Sequence, residues 1–309
     1  MRFRLPPTTR PRRRDFESAR RGLRFAGRGL LFTLGLCACS ASVAETSTPA
    51  AVSPAELPLI SIIIDDLGYR RLDGLRALEL PGPVAYAVLP HTPYGSRLAD
   101  IAFKLDKEVL LHVPMESELD KALGPGALVN GMAQPEIQAV LDAGLASVPH
   151  VSGLNNHMGS SLTQQAQAMT WVMGWMRENG GLYFVDSMTS AQSVALRSAS
   201  DAGVRAIGRD VFLDASTNAD RIREQFQRLV KLARERGTGL AIGHPYPETL
   251  SVLRNVLLKP SYYGVRLVPV RELIARRNGA AHARTRFTRP DRSARARYAN
   301  NAIIEVRRQ

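Results

Sequence analysis

The stretch "LPLISIIIDDLGYR", residues 57–70, combines the most β-prone run of the chain with two adjacent aspartates. Ile60 and the isoleucines at 62–64 predict a strand that is buried on both faces, as in a parallel sheet. Buried strands seldom end in two side-by-side carboxylates unless another group balances their charge. Asp65 and Asp66 are therefore candidate site residues, although such a pair also often caps the helix that follows.

Downstream of this strand, short apolar runs alternate with stretches of helical periodicity. The strand candidates are 59–65, 84–89, 109–113, 153–157, 182–186, 204–208, 239–243 and 265–268. The helix candidates are 70–80, 95–107, 135–147, 163–179, 190–202, 218–236 and 246–258. Seven or eight β/α repeats predict a single α/β domain over 57–277, most economically a distorted parallel (β/α) barrel. A doubly wound open sheet is the alternative. The chain has neither a GxGxxG after a strand nor a GxxxxGK[ST], which argues against nucleotide cofactors.

The positive charge of the chain is concentrated at its two ends. The formal net charge is +13, yet residues 1–28 and 276–309 each carry +8, so the remaining residues sum to −3. The predicted domain has no basic stripe interleaved with aromatic residues, which is the pattern that binds nucleic acid. The sequence therefore predicts no nucleic-acid partner.

The N-terminal segment is typical of an export signal. Basic residues precede the apolar run "GLLFTLGLCACSASVA", and small residues at 42–44 suit cleavage before Glu45. We expect residues 1–44 to direct the protein to the periplasm or envelope. An uncleaved membrane anchor, or a lipoprotein modified at Cys39, are the alternatives. Both cysteines, Cys37 and Cys39, lie in this segment. Metal ligands in the remainder must therefore be His, Asp or Glu.

Two further segments flank the predicted domain. Residues 45–56 form a Pro/Ala/Ser/Thr linker, and the Arg-rich tail 278–309 has the composition of a disordered segment. Its positive charge suits contact with anionic lipid or a wall polymer.

Polar side chains recur where the predicted strands end. They are Asp65, Asp66, His112, Glu116, Asn155, Asn156, His157, Asp186, Asp210, Asp214 and His244. The carboxyl ends of barrel strands meet at one mouth, where active sites form. Each residue has a structural alternative, since a single histidine is often hydrogen-bonded structure and Asp210 or Asp214 could cap helix 218–236 or pair with Arg209. Because such residues recur at the ends of several predicted strands, a functional site at the barrel mouth is favoured.

Five motifs taken in order make the sequence recognisable: "IIIDDLGYR", "EVLLHVPME", "GLNNHMGSSLT", "YFVDSMTS" and "AIGHPYPETL". Together they closely resemble the divergent polysaccharide deacetylases, the YibQ-like family, which is a remote branch of the NodB-homology carbohydrate esterases. The resemblance covers about residues 57–277. It implies a distorted β/α barrel and metal-assisted removal of acetyl groups from a polysaccharide.

The resemblance also implies roles for individual residues. Asp65 matches the general base and Asp66 the metal-binding partner. Neighbouring residues at a strand end point to opposite sides, so one carboxylate would hold the ion while the other faces the attacking water. His112 matches the first histidine of the metal-binding His-x-x-x-His motif, and His244 matches the general acid.

Two departures from the NodB pattern leave alternatives open. Glu116 stands where the second metal-binding histidine is expected, so His157 is expected to replace it as third ligand, with Glu116 as the alternative. No clear counterpart of the NodB Arg-x-Pro-Tyr motif is found. Asp186 and Asp210 are expected to orient the imidazoles.

The mixed nitrogen and oxygen ligands, with a position left open for water, favour Zn²⁺ as the divalent metal. The resemblance thus implies a metal-dependent deacetylase of an acetylated polysaccharide or peptidoglycan-type glycan. The alternative is a glycan- or metal-binding envelope protein that keeps the barrel without catalysis.

Overall fold

The computed structural model describes residues 57–119 and 121–277, the predicted domain; the predicted signal, linker and basic tail lie outside this range. The strands are β1 Leu59–Leu67, β2 Ala85–Val88, β3 Val109–Met115, β4 Val151–Met158, β5 Tyr183–Asp186, β6 Ala206–Gly208, β7 Val211–Phe212, β8 Thr238–Gly243 and β9 Arg266–Leu267. The helices are α1 Arg71–Leu78, α2 Gly95–Lys104, α3 Gln134–Ser147, α4 Ala166–Glu178, α5 Ala195–Asp201, α6 Ala219–Arg236, α7 Pro247–Val256 and α8 Val270–Arg277. Within this described part, none of the helices has the length and apolar character needed to span a bilayer.

All strand pairs of the sheet are parallel, and their order identifies a barrel. The order is β6-β5-β4-β3-β2-β1-β8-β7, with β9 pairing the start of β1. This order is consecutive around a ring, whereas a doubly wound sheet reverses direction at a switch point. The ring is open between β6 and β7, which follow one another along the chain with only Arg209 and Asp210 between them. The distorted barrel is therefore confirmed.

Alternation along the strands divides the core into two layers. Ile60, Ile62 and Ile64 pack outward in a cluster with the helices, while Leu59 and Ile63 point into the barrel. Both clusters are apolar, which explains why β1 is a continuous hydrophobic run. The next inward position on β1 is Asp65, at the mouth.

Helix α8, which the sequence patterns did not predict, closes the other end of the barrel. Val270, Leu273 and Ile274 are buried in the inner cluster. The carboxylate of Glu108 accepts a hydrogen bond from the Val270 N–H at 2.5 Å and so caps the first turn. Among the described residues, α8 thus covers the end of the barrel that lies opposite its carboxyl-terminal mouth.

Candidate active site

The inward-facing positions at the mouth bring together the residues that the sequence singled out. Asp65 and Asp66 end β1, His112 lies on β3, His157 lies on β4, and His244 follows β8. His112 pairs with Asn155 in the β3–β4 register, and His157 pairs with Pro114 two residues further along. The two histidines therefore lie on the same face of adjacent strands.

A β-bulge places both carboxylates of β1 in the site. The register of β1 against β2 shifts between Ile64 and Leu67, and Asp66 adopts a left-handed conformation with φ 61°. Strict alternation would direct Asp66 toward the helices, but the bulge turns it inward. Its Oδ1 lies 3.1 Å from His112 Nε2, and Asp65 Oδ2 lies 3.6 Å from the same atom. The expectation that the two carboxylates point to opposite sides is thus wrong.

Three ligand atoms converge on one point. Asp66 Oδ1 lies 2.9 Å from His157 Nδ1 and 3.1 Å from His112 Nε2, and the two nitrogens are 3.2 Å apart. A tetrahedral zinc ion with bonds of about 2.0–2.1 Å separates its ligands by roughly 3.3 Å. Asp66 Oδ1 is buried and accepts no well-aligned hydrogen bond, although both imidazole nitrogens are this close to it. The triangle of Asp66, His112 and His157 therefore fits a small divalent cation.

Asn155 fixes the orientation and tautomer of His112. The Asn155 amide nitrogen donates to Asp65 Oδ1 at 2.9 Å, so its oxygen is left to accept from His112 Nδ1–H, also at 2.9 Å. With the proton on Nδ1, the lone pair of Nε2 faces Asp66. One buried amide thus links the base candidate to a ligand candidate.

The electrostatics of the triangle favour positive charge. Burial opposes ionisation of Asp66, but the imidazoles of His112 and His157 outweigh it and hold the pKa of Asp66 well below its usual range. Burial likewise opposes protonation of His112, yet Asp65 and Asp66 raise its pKa. A metal ion would supply the same positive charge. Burial raises the pKa of Asp65 despite His112 and His244, which moves this carboxyl toward the range of a general base.

His244 is paired with a buried carboxylate. Its Nδ1 lies 2.9 Å from Asp214 Oδ1, and its backbone N–H donates to Asp214 Oδ2 at 2.6 Å. Thr249 donates a further hydrogen bond to that oxygen at 2.8 Å. Burial alone would lower the pKa of His244, but Asp214, with Asp65 and Asp66 behind it, raises it to about 9. The raised pKa favours the protonated form of His244, whose Nε2 lies 3.8 Å from Asp66 Oδ2.

Arg209, in the gap between β6 and β7, brings a cation close to the base candidate. Its guanidinium donates to the carbonyls of Ser187 at 2.6 Å and Met188 at 3.0 Å and stacks over Phe212. Burial lowers its pKa, and the charge of Asp65 opposes that shift. Sequence reasoning treated Arg209 only as a partner for the neighbouring aspartates. Its position directly after the strand predicted over 204–208 was the sequence feature that could have identified it as a candidate site residue.

Glu116 lies outside the triangle. Its carboxylate accepts hydrogen bonds from the backbone N–H and the side-chain amide of Asn130, both at 2.7 Å. It therefore fixes the long connection between β3 and α3. Between the two candidates for third ligand, the structure places His157 beside Asp66 and His112.

The sequence predicted that Asp186 and Asp210 orient the imidazoles, but both side chains form other hydrogen bonds. Asp186 accepts from the Met188 N–H and the Ser193 hydroxyl and so shapes the loop after β5. Asp210 pairs with Arg277 and accepts from the Leu240 N–H. That expectation is wrong, because the orienting contacts come from other strand-end residues, Asn155 and Asp214. The sequence showed both, but it did not reveal which side chains meet.

Comparisons with known proteins agree with the fold and the motifs. A family model described as divergent polysaccharide deacetylase matches residues 62–274. The uncharacterized protein YibQ of Escherichia coli (strain K12) is 39% identical over 205 residues, which cover 66% of this chain and 64% of that protein. An uncharacterized protein of Haemophilus influenzae is 33% identical over 195 residues, or 63% of this chain and 69% of the relative. The chain thus spans just under two thirds of its E. coli relative.

Among solved structures, the uncharacterized protein ATU2773 from Agrobacterium tumefaciens C58 is similar with a TM-score of 0.67 at 23% identity. That likeness covers 72% of this chain and 91% of the other, and it supports the fold. The family model spans β1 to α8 and includes all five motifs. The chain therefore belongs to the divergent polysaccharide deacetylase family.

Proposed function

We propose that this protein is a metal-dependent deacetylase that hydrolyses N- or O-acetyl groups of an envelope or exported polysaccharide. Membership of the family supports the reaction class. The observation that carries the proposal is the buried Asp66 Oδ1, which accepts no well-aligned hydrogen bond and lies between two imidazole nitrogens, with Asp65 beside it. A purely structural cluster would aim an imidazole N–H at that oxygen in a well-aligned hydrogen bond.

Asp66, His112 and His157 would hold the ion, and their mixed oxygen and nitrogen donors suit zinc. A divalent cation at this place supplies Lewis acidity, which lowers the pKa of water and polarises an acetyl carbonyl.

The remaining residues manage protons. Asp65 is the proposed base that accepts the proton of the attacking water, and its buried environment raises its pKa toward the working range. The Asn155 amide donates a hydrogen bond to Asp65 Oδ1. Asp65 Oδ2, which lies 3.6 Å from His112 Nε2, is therefore left to accept the proton. His244, kept protonated by Asp214, donates a proton to the departing amine or alcohol.

We place this activity outside the cytoplasm, in the periplasm or envelope, because the sequence before Glu45 is typical of an export signal. The basic tail would add contact with anionic lipid or wall polymer. N-terminal sequencing of the mature protein should give a start near Glu45. A start at lipid-modified Cys39 would make it a lipoprotein, and an unprocessed cytosolic protein would contradict the proposal.

Acetate release from N- and O-acetylated wall oligosaccharides, measured with zinc-loaded protein, tests the function. Asp65→Asn keeps the size of the side chain and removes the proton acceptor, so the rate should fall by about a hundredfold to ten-thousandfold. His244→Ala should slow release as well, through loss of the acid. Both variants should retain most of their metal, because neither residue belongs to the triangle.

A metal-stripped sample is the control. If wild-type protein releases no more acetate than this control on every substrate, the proposed reaction is contradicted. Glycan binding that persists under those conditions would instead identify a binding protein that retains the barrel without turnover.

A further inference from the structure

A cleft of about 440 Å³ leads away from the candidate active site. It lies between the loops that follow β1 and β8, which are neighbouring strands. The candidate site residues Asp66 and His244 line it, together with Tyr69, Arg70, Asp73 and Tyr246 among others. The volume falls in the range of small-ligand sites, so the cleft has room for part of a ligand beyond the reacting group.

Tyr69 is exposed yet held in place. The residue is 49% exposed, which leaves much of its aromatic ring accessible to a ligand. A Cβ at Gly124 would lie 3.2 Å from the Tyr69 hydroxyl, so the tip of this tyrosine rests against the connection between β3 and α3. The hydroxyl end of the ring therefore lies beside Gly124, while about half of the residue's surface is exposed.

Tyr246 is preorganised by its neighbours in the chain. Pro245 and Pro247 flank it, and its backbone is extended, with φ −71° and ψ 142°. The ring centroid lies 5.5 Å from that of His244, while 42% of the residue remains exposed. A rigid, exposed aromatic group beside a proton donor loses little conformational freedom when it binds a ligand.

We propose that Tyr69 and Tyr246 form a carbohydrate-stacking subsite that binds a sugar next to the acetylated residue. This inference rests on the proposed carbohydrate function and deepens it. The C–H face of a pyranose ring packs on an aromatic face, and tyrosine adds a polar tip for hydroxyl groups. Arg70 and Asp73 supply further donors and acceptors in the same cleft. The protein thus recognises an oligosaccharide in preference to a single sugar.

Calorimetric titration tests the subsite without turnover. The protein is the zinc-loaded mature chain carrying Asp65→Asn, and the probes are the β-1,4-linked tetramer of N-acetylglucosamine and the free monosaccharide. Tyr69→Ala and Tyr246→Ala should each weaken tetramer binding by about fivefold to fiftyfold, the loss expected for a buried aromatic contact. Tyr69→Phe and Tyr246→Phe should keep most of the affinity, because the stacking face remains.

Tyr262→Ala is the matched control. Tyr262 is 85% exposed and lies before β9, at the opposite end of the barrel, so its loss should not change tetramer binding. Equal affinity for tetramer and monosaccharide, unchanged affinity in both alanine variants, or no tetramer binding at all would overturn the subsite.

The proposed reaction and the proposed subsite can be contradicted independently of each other. Tyrosine-dependent binding by a wild-type protein that releases no acetate would retain the subsite and remove the reaction. Acetate release that is indifferent to both tyrosines would retain the reaction and remove the subsite.

Discussion

Asp66 owes its position in the site to a backbone conformation that few side chains tolerate. A positive φ is uncommon outside glycine, and aspartate is among the residues that adopt it most readily. Such strain costs about 1–3 kcal/mol and tends to occur at functional sites. Met158, the last residue of β4, and Met188, shortly after β5, also have positive φ. The sequence predicted both aspartates of β1, but the turn of Asp66 toward His112 depends on a bulge that has no sequence signature here.

Metal content distinguishes the two candidates for third ligand. His157→Ala removes an atom of the triangle and should weaken zinc binding by at least about a hundredfold, more than the loss of an orienting neighbour does. Glu116→Ala leaves the triangle intact and should retain the metal, since Glu116 is hydrogen-bonded to Asn130. Competition with a chromogenic chelator measures both. The opposite order of effects would make Glu116 the ligand.

The pH dependence of acetate release should respond to Asp214. In the proposed reaction His244 is the acid, a role that requires its protonated form, and that form is lost as the pH rises through its pKa, raised to about 9. Asp214→Asn removes the charge that holds this pKa up, so the basic limb of the rate profile should move to lower pH by about one unit or more. Asp220→Asn, on the exposed face of α6, is the control. An unmoved basic limb would contradict the assignment of His244 as the acid.

The turn from β1 to α1 shows how a short connection positions the site. Gly68 has φ 134°, and a Cβ there would lie 2.0 Å from Thr92 Oγ1. Its carbonyl accepts from the Tyr94 N–H at 3.0 Å, which ties the turn to the loop after β2. Gly68 therefore fixes the position of Asp66 on one side and of Tyr69 on the other.

Gly68→Ala should both destabilise the protein and reduce its metal content. The forbidden φ and the steric clash each cost about 1–3 kcal/mol in the free energy of unfolding. Adding Thr92→Ala should recover only part of the steric cost, because the Cβ of residue 92 would still lie 2.8 Å from the new methyl group. Gly174→Ala in α4, where a Cβ meets nothing within 4 Å, should instead be neutral or stabilising by up to about 1 kcal/mol. Urea unfolding measures the free energy of unfolding of each variant. Equal effects of Gly68→Ala and Gly174→Ala would contradict this account of the turn.

Element prediction succeeded where periodicity was strong and failed where side-chain hydrogen bonds decide. The strand predicted over 153–157 and the helix over 218–236 match β4 and α6 closely. The helix expected over 190–202 begins only at Ala195, because Ser190 and Ser193 bond to the local backbone. Helix α8 was not predicted because its eight residues give little periodic signal. Its apolar residues are buried against the inner cluster of the barrel, a contact that the local sequence does not reveal.

At the scale of the whole molecule, the barrel must be stabilised at its open seam. β6 and β7 do not pair with each other, so main-chain hydrogen bonds do not close the ring there. Arg277, at the end of α8, reaches this seam. Its guanidinium lies 2.5 Å from Asp210 Oδ2, donates to Thr238 Oγ1 at 3.1 Å and reaches the Gly208 carbonyl at 3.4 Å. One side chain thus joins the end of β6, the link to β7 and the start of β8.

Arg277→Met should therefore lower the free energy of unfolding by more than the loss of an exposed arginine would, since the Arg277 side chain is only 26% exposed. The substitution leaves the largely buried carboxylate of Asp210 without its closest partner, and breaking such a pair costs about 1–3 kcal/mol or more. Arg276→Met, on the exposed neighbouring position, is the matched control and should change stability by less than about 0.5 kcal/mol. Urea denaturation followed by circular dichroism measures both. Equal stabilities of the two variants would mean that the seam is stabilised by the packing of α8 alone.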